Sequence, residues 1–191
     1  VIVCSLIGLI FISGTDVSIF IKIGIVGVVG IVILVLIAPY RLDRIMSFLN
    51  PWSDPLGSGF QMIQSLYAIG PGGLLGFGLF NSRQKHFYLP EPQTDFIFSI
   101  ISEEFGFIGC AVLIGLFVLL FYNIARKAIK ETDLFGKYLI FGLLFLLMFQ
   151  TILNLCVVVG LVPVTGVTLP FISYGGSSLV ISMISIGIIL N

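Results

Sequence analysis

The chain has 191 residues, 58% of them hydrophobic and 9% charged, with nine Lys/Arg against nine Asp/Glu and a net charge of zero. Soluble domains carry about 25% charged residues, so this composition points to an integral membrane protein. So few cations, fully balanced, supply no basic field for nucleic acid, and no nucleic-acid partner is expected.

Five apolar segments follow one another, at residues 1–13, 19–38, 105–124, 139–160 and 171–190. The first is shorter than the ~20 residues a bilayer crossing needs and opens on Val1. It reads as a clipped helix in part of a longer protein, and such a piece is not expected to be active alone. No basic region or small-residue cleavage site precedes it, so no signal peptide is expected. The fold class is an all-α, polytopic transmembrane bundle with about five spans in this chain. Loop 125–137 carries Arg126, Lys127, Lys130 and Lys137, whereas loop 161–170 is uncharged. The excess of positive charge puts 125–137 in the cytoplasm. Loops 39–95 and 161–170 then face outward. Arg41 and Arg44 run against this assignment, but long loops follow the rule poorly.

Within the outer loop 39–95, Phe60–Ile69 reads as a short amphipathic helix. Phe60, Ile63, Leu66 and Tyr67 fall on an apolar face, with Gln61, Gln64 and Ser65 opposite. It lies in the membrane interface, dips in from outside, or belongs to a loop packed on the bundle. Gly70-Pro71-Gly72-Gly73 ends it, and Gly76 and Gly78 are expected to leave the next stretch loose.

Residues 82–98 form a polar island, with Arg83, Lys85, His86, Glu91 and Asp95 among aromatics. Polar groups beside a span call for a use. From Asp95 to Ile124 no residue breaks a helix, which predicts a rod of ~45 Å against a hydrocarbon core of ~30 Å. Glu103 and Glu104 would sit near the outer boundary with Asp95 about 15 Å above them. Each group has a plain reading beside its functional one. Asp95 is an N-cap or a base. Glu103 and Glu104 snorkel or bind. Arg83 and Lys85 touch lipid phosphates or clamp a pyrophosphate. His86 has no second ligand at metal spacing, and Cys4, Cys110 and Cys156 read as small core- or lipid-facing residues. Gln150 and Asn154 share a helix face, which suggests helix–helix hydrogen bonding. Residues 162–178, with two prolines and a glycine pair, suggest a broken, closely packed helix end lining a cavity. No Ser/His/Asp set and no Walker or Rossmann glycine loop occurs, so ATP hydrolysis is not supported.

Ser82-Arg83-Gln84-Lys85, Tyr88-Leu89-Pro90-Glu91, Thr94-Asp95-Phe96-Ile97-Phe98 and Glu103-Glu104-Phe105-Gly106 resemble the large outer loop of the SEDS family (shape, elongation, division, sporulation). Pro163-Val164-Thr165-Gly166 through Leu169-Pro170-Phe171-Ile172-Ser173-Tyr174-Gly175-Gly176-Ser177-Ser178 resembles its last outer loop. Asn50-Pro51-Trp52 and Gly57-Ser58-Gly59-Phe60-Gln61 match as well. The wording is most similar to the FtsW/SpoVE division and sporulation branch, with RodA close behind. The resemblance implies about ten spans, of which this chain is the C-terminal half, in the bacterial cytoplasmic membrane. It implies a glycosyltransferase that polymerises lipid II outside the membrane beside a class B penicillin-binding protein and other division proteins. It makes Asp95 the catalytic residue, and Ser82, Arg83, Gln84, Lys85, Glu103, Glu104, Ser173 and Gly175 substrate-binding. The cofactor stays open, a divalent cation (Mg or Mn) with the substrate pyrophosphate being the candidate. Two residues depart from the family pattern: Phe80 and Cys156 stand where glycine is usual. A lipid II flippase and a non-catalytic scaffold that recruits the transpeptidase are the competing readings.

Overall fold

The computed structural model describes residues 1–37, 45–57, 59–82 and 93–191, and among them the chain is helical with no strand. The helices are α1 (Ile2–Ile12), α2 (Val17–Ile37), α3 (Phe60–Ile69), α4 (Ile97–Lys130), α5 (Leu134–Val158) and α6 (Gly176–Leu190). Of these, α4 and α5 are long and apolar enough to cross a membrane. Arg41, Arg44, His86 and the predicted cationic group Arg83, Gln84 and Lys85 lie outside the described residues.

α4 and α5 form the central hairpin. The basic stretch read as a loop is mostly helix: α4 runs on to Lys130 and only 131–133 connect. Asp133 caps α5 by accepting from Gly136 N at 2.7 Å, and Glu131 Oε1 accepts from Thr132 N at 3.2 Å. These bonds satisfy N–H groups that a helix start would otherwise leave orphaned. Ile124 and Ala128 of α4, Ile140 and Leu144 of α5 and Ile189 of α6 fill one end of the bundle. Phe96, Phe98, Ile100, Cys110, Phe117, Val157, Val158 and Leu169 fill the other. α1 lies along α5, with Gly8 against the Phe145 ring and Gly142 against Leu9. The last helix begins at Gly176, because the chain turns through 171–175 and Phe171 takes φ 66°.

The expected unbroken rod is not what forms. α4 is interrupted at Gly106, whose φ/ψ of 63°/−161° is not helical. In a helix, Phe107 N and Ile108 N would bond the carbonyls of Glu103 and Glu104. Here Phe107 N donates to Gly73 O at 2.9 Å and Ile108 N to Leu74 O at 3.2 Å. The freed carbonyls are taken by the same loop: Phe77 N donates to Glu103 O at 3.0 Å and Gly78 N to Glu104 O at 2.9 Å. The glycine-rich stretch expected to be loose is therefore pinned into the helix break. Residues 107–130 alone rise roughly 36 Å, enough to span, so 97–105 form a separate short helix above them.

Glycine is required where this loop touches the break. A Cβ on Gly76 would overlap the Glu104 carbonyl, one on Gly72 the Ser102 carbonyl, and one on Gly106 the backbone of Gly76. Gly76 and Gly106 also sit at φ 73° and 63°, where a side chain costs energy.

α3 has the residues predicted for it but packs on another face. Met62, Ile63, Ser65 and Ala68 are buried, while Leu66 and Tyr67 are exposed and Tyr67 meets Trp52 edge-on. The reason is polar. Ser65 Oγ donates to Val158 O at 2.8 Å, an orphan carbonyl of the last turn of α5, and lies 2.8 Å from Ser99 Oγ. Ser65 has one hydroxyl hydrogen, so Ser99 is the donor of that second bond.

Gly106→Ala and Gly76→Ala are each expected to cost about 2–4 kcal/mol, from a disfavoured φ plus backbone overlap. Gly115→Ala, in the same helix with nothing near its Cβ position, should be neutral or stabilising by up to about 1 kcal/mol. Apparent melting temperatures of the purified protein would check this contrast. Phe80 holds φ 65°, so Phe80→Gly should raise the same melting temperature, by an amount equivalent to about 1 kcal/mol or less.

Candidate functional site

The site is built where the start of α4 meets the loop between α5 and α6. Phe96 and Leu169 are each 1% exposed and belong to one core cluster, which anchors both segments. Between them a single amide joins two stretches of backbone. Asn154 Nδ2 donates to Asp95 O at 2.8 Å and to Val167 O at 2.7 Å. A further bond runs from Tyr174 N to Gln93 O at 2.8 Å. Asn154 thus binds loops, not a neighbouring helix as its helical spacing suggested. It is fully buried, and its Oδ1 has no hydrogen-bond partner among the described residues.

Asp95 is half-buried. It is not the N-cap of α4: Phe96 holds that position, with no side-chain cap. Asp95 Oδ2 lies 3.5 Å from where a Cβ on Gly166 would stand, and Gly166 takes φ 64°. The carboxylate is therefore set against the rim of the last loop. Gln150 braces that loop from below: its Nε2 donates to Thr168 O at 3.0 Å and reaches Thr168 Oγ1 at 3.3 Å and Ser178 Oγ at 3.2 Å. Thr168 Oγ1 donates to Ser178 Oγ at 2.8 Å. Beside this web opens a cleft of about 300 Å³, lined by Gln150, Gly166, Val167, Thr168, Ser177, Ser178 and Ile181. The broken helix end does line a cavity.

The other predicted residues take several places. Glu103 and Glu104 do not snorkel, being 2% and 7% exposed. Glu103 Oε2 accepts from buried Ser82 Oγ at 2.5 Å, which fixes the chain just before Arg83. Glu104 Oε1 is buried with no hydrogen-bond partner among the described residues. Ser173 Oγ accepts from Leu169 N at 2.7 Å and so closes the loop on itself. Gly175 precedes α6 in an extended conformation (φ −153°). Gln150 was expected to bond a neighbouring helix, and Gly166 and Ser178 fall in the last-loop motif, but nothing in the sequence pairs Gln150 with Thr168 and Ser178.

If Asn154 fixes Asp95, its loss should be felt at both loops. Asn154→Ala removes two buried hydrogen bonds and is expected to cost about 1–3 kcal/mol. Asn154→Asp, of equal size but without the N–H donors, should cost at least as much. Thermal unfolding would detect the loss, and hydrogen exchange at residues 93–98 and 166–174 would locate it.

Several known proteins match this chain. The FtsW/RodA/SpoVE family model, described as cell cycle protein, covers residues 1–191. The chain is 55% identical to stage V sporulation protein E of Bacillus subtilis (strain 168) over 183 residues, 96% of this chain and 50% of that protein. It is 49% identical to the probable peptidoglycan glycosyltransferase FtsW of Geobacter sp. (strain M18), again over 96% of this chain and 50% of that protein. It thus spans about half the length of the curated relatives it matches. Among solved structures, a chain of a peptidoglycan synthase complex, studied for its coordination of polymerization and crosslinking, superposes with a TM-score of 0.73 at 33% identity. That match covers 98% of this chain and 52% of the other. The rod shape determining protein RodA of Thermus thermophilus gives a TM-score of 0.51 at 38% identity, over 66% of this chain and 37% of that one. With a match along its whole length and an apolar, helical architecture, the chain belongs to the FtsW/RodA/SpoVE (SEDS) family of membrane proteins.

Proposed function

We propose that the protein is a peptidoglycan glycosyltransferase. It polymerises lipid II on the outer face of the bacterial cytoplasmic membrane, in cell division or sporulation, together with a class B penicillin-binding protein. The names of the FtsW relatives support the reaction class. The likeness to a complex that joins polymerization to crosslinking supports the partner. The observation that carries the reading is the Asn154 clamp, which holds the backbone of Asp95 at the edge of a polar cleft.

The acceptor sugar's 4-hydroxyl oxygen attacks the donor's anomeric carbon. The bond from that carbon to the pyrophosphate oxygen breaks, and its electron pair leaves with the polyprenyl pyrophosphate. The hydroxyl proton passes to the Asp95 carboxylate, so the anomeric centre inverts and charge balances. The leaving group arrives on the substrate, which removes any need for ATP. Arg83 and Lys85 neutralise the departing pyrophosphate and Gln84 hydrogen-bonds to it, and Glu103 holds Ser82, the residue that precedes them. Where a Mg or Mn ion takes part, its oxygen ligands come chiefly from the pyrophosphate. No three His, Cys, Asp or Glu residues are grouped among the described residues to hold one.

The test uses the full-length protein purified with its transpeptidase partner and labelled lipid II. Asp95→Asn is expected to lower polymerisation about 10²–10⁴-fold, the usual worth of a general base, with folding and partner binding intact. Equal glycan from wild type and variant would remove Asp95 from the chemistry. No glycan from either would favour the flippase or the scaffold.

A further inference from the structure

The cleft beside Asp95 has a chemical character that the reaction alone does not require. Seven of the described residues line it, and none of these is charged. Ser178 Oγ accepts from both Gln150 and Thr168, which leaves its own hydrogen to point into the cleft as a donor. Gln150 Nε2 is committed to the loop, and its Oε1 accepts no hydrogen bond among the described residues, so it offers an acceptor. Val167 and Ile181 add apolar surface. The first turn of α6 brings backbone N–H groups that serve a carbonyl as well as an anion.

The Ser178 hydroxyl as donor, the Gln150 amide oxygen as acceptor and an apolar wall within about 300 Å³ complement a secondary acetamide, which has a carbonyl, an N–H and a methyl. A pyrophosphate would seek lysine or arginine, and the described residues of the cleft lining include neither. Gly166 belongs to the cleft wall and also abuts Asp95 Oδ2. A group seated in the cleft would therefore be on the sugar whose hydroxyl Asp95 deprotonates.

We propose that this cleft is the subsite for the N-acetyl group of the acceptor amino sugar, with the Ser178 hydroxyl donating to the acetamide carbonyl and Gln150 Oε1 accepting from its N–H. The inference rests on the glycosyltransferase reading and adds to it the residues that choose the sugar. Any glycine substitute at 166 would stand between the cleft and the carboxylate.

The experiment measures polymerisation by the full-length protein with its partner. It compares lipid II with lipid II whose terminal sugar carries a free amine in place of the acetamide. Wild type is expected to prefer the acetylated substrate at least about tenfold in kcat/KM, the worth of one buried hydrogen bond to a matched group. In Ser178→Ala, and separately in Gln150→Leu, that preference should fall towards one, chiefly through a higher KM for the acetylated substrate. Melting temperatures and partner binding confirm folding, and either variant alone suffices. A structural role for these residues would lower both substrates equally and leave the preference intact, which overturns the subsite. Wild type that polymerises both substrates equally also overturns it, while leaving the glycosyltransferase reading standing. No glycan from wild type with either substrate overturns that reading, and the subsite with it.

Discussion

The structure depends on an exchange of four backbone hydrogen bonds where α4 breaks. Inside or beside a membrane an unpaired N–H or C=O costs several kcal/mol, so a helix can be interrupted only where other protein groups take its bonds. The loop 73–78 takes them in pairs: two of its carbonyls receive Phe107 and Ile108, and two of its N–H groups reach Glu103 and Glu104. Three glycines allow the two backbones to approach closely enough. Once this junction is fixed, the short helix above it is fixed too. Its first residue follows Phe96, the buried anchor of the site.

The rest of the upper bundle is sewn together by small polar side chains that bond to main chain. Ser65 holds the end of α5 to α3, Asn154 holds α5 to Asp95 and Val167, Gln150 holds α5 to Thr168, and Ser173 holds the last loop to itself. In lipid, apolar packing has no solvent drive to bring helices together, so such bonds and close contacts set the geometry. They concentrate at the end of the bundle where the chain is least regular. Irregular backbone has the most unpaired groups to satisfy there.

The sequence made the membrane class readable through hydropathy and charge, and α3 through its length and glycine stop. The break at Gly106 was hidden. Glu103-Glu104-Phe105-Gly106-Phe107 contains no proline, and a lone glycine is tolerated in a helix. What breaks it is a loop about thirty residues earlier, which no local pattern reveals. The buried face of α3 was misread because hydropathy puts serine outside, whereas Ser65 is inside to satisfy Val158 and Ser99. Asn154 was visible as a polar residue in a span, but its partners are carbonyls on two distant loops, and helical periodicity does not encode those. Asp95 looked like a cap because acidic residues favour helix starts. The actual start lies one residue later, where packing of the Phe96 ring outweighs capping.

Asp95 and Glu103, on either side of the start of α4, are held in different ways. Glu103 is gripped by its side chain, through Ser82, and is 2% exposed. Its carboxylate is part of the scaffold, tied to the Ser82 hydroxyl. Asp95 is gripped by its main chain, through the carbonyl that every residue possesses, and its side chain is only half-buried. The path of the backbone at 95 is therefore set by Asn154, Phe96 and the pairing of Gln93 with Tyr174. Asp95 is thus placed through its main chain, whereas Glu103 is held twice, by its side chain through Ser82 and by its carbonyl through Phe77, so the two carboxylates enter the scaffold at different levels.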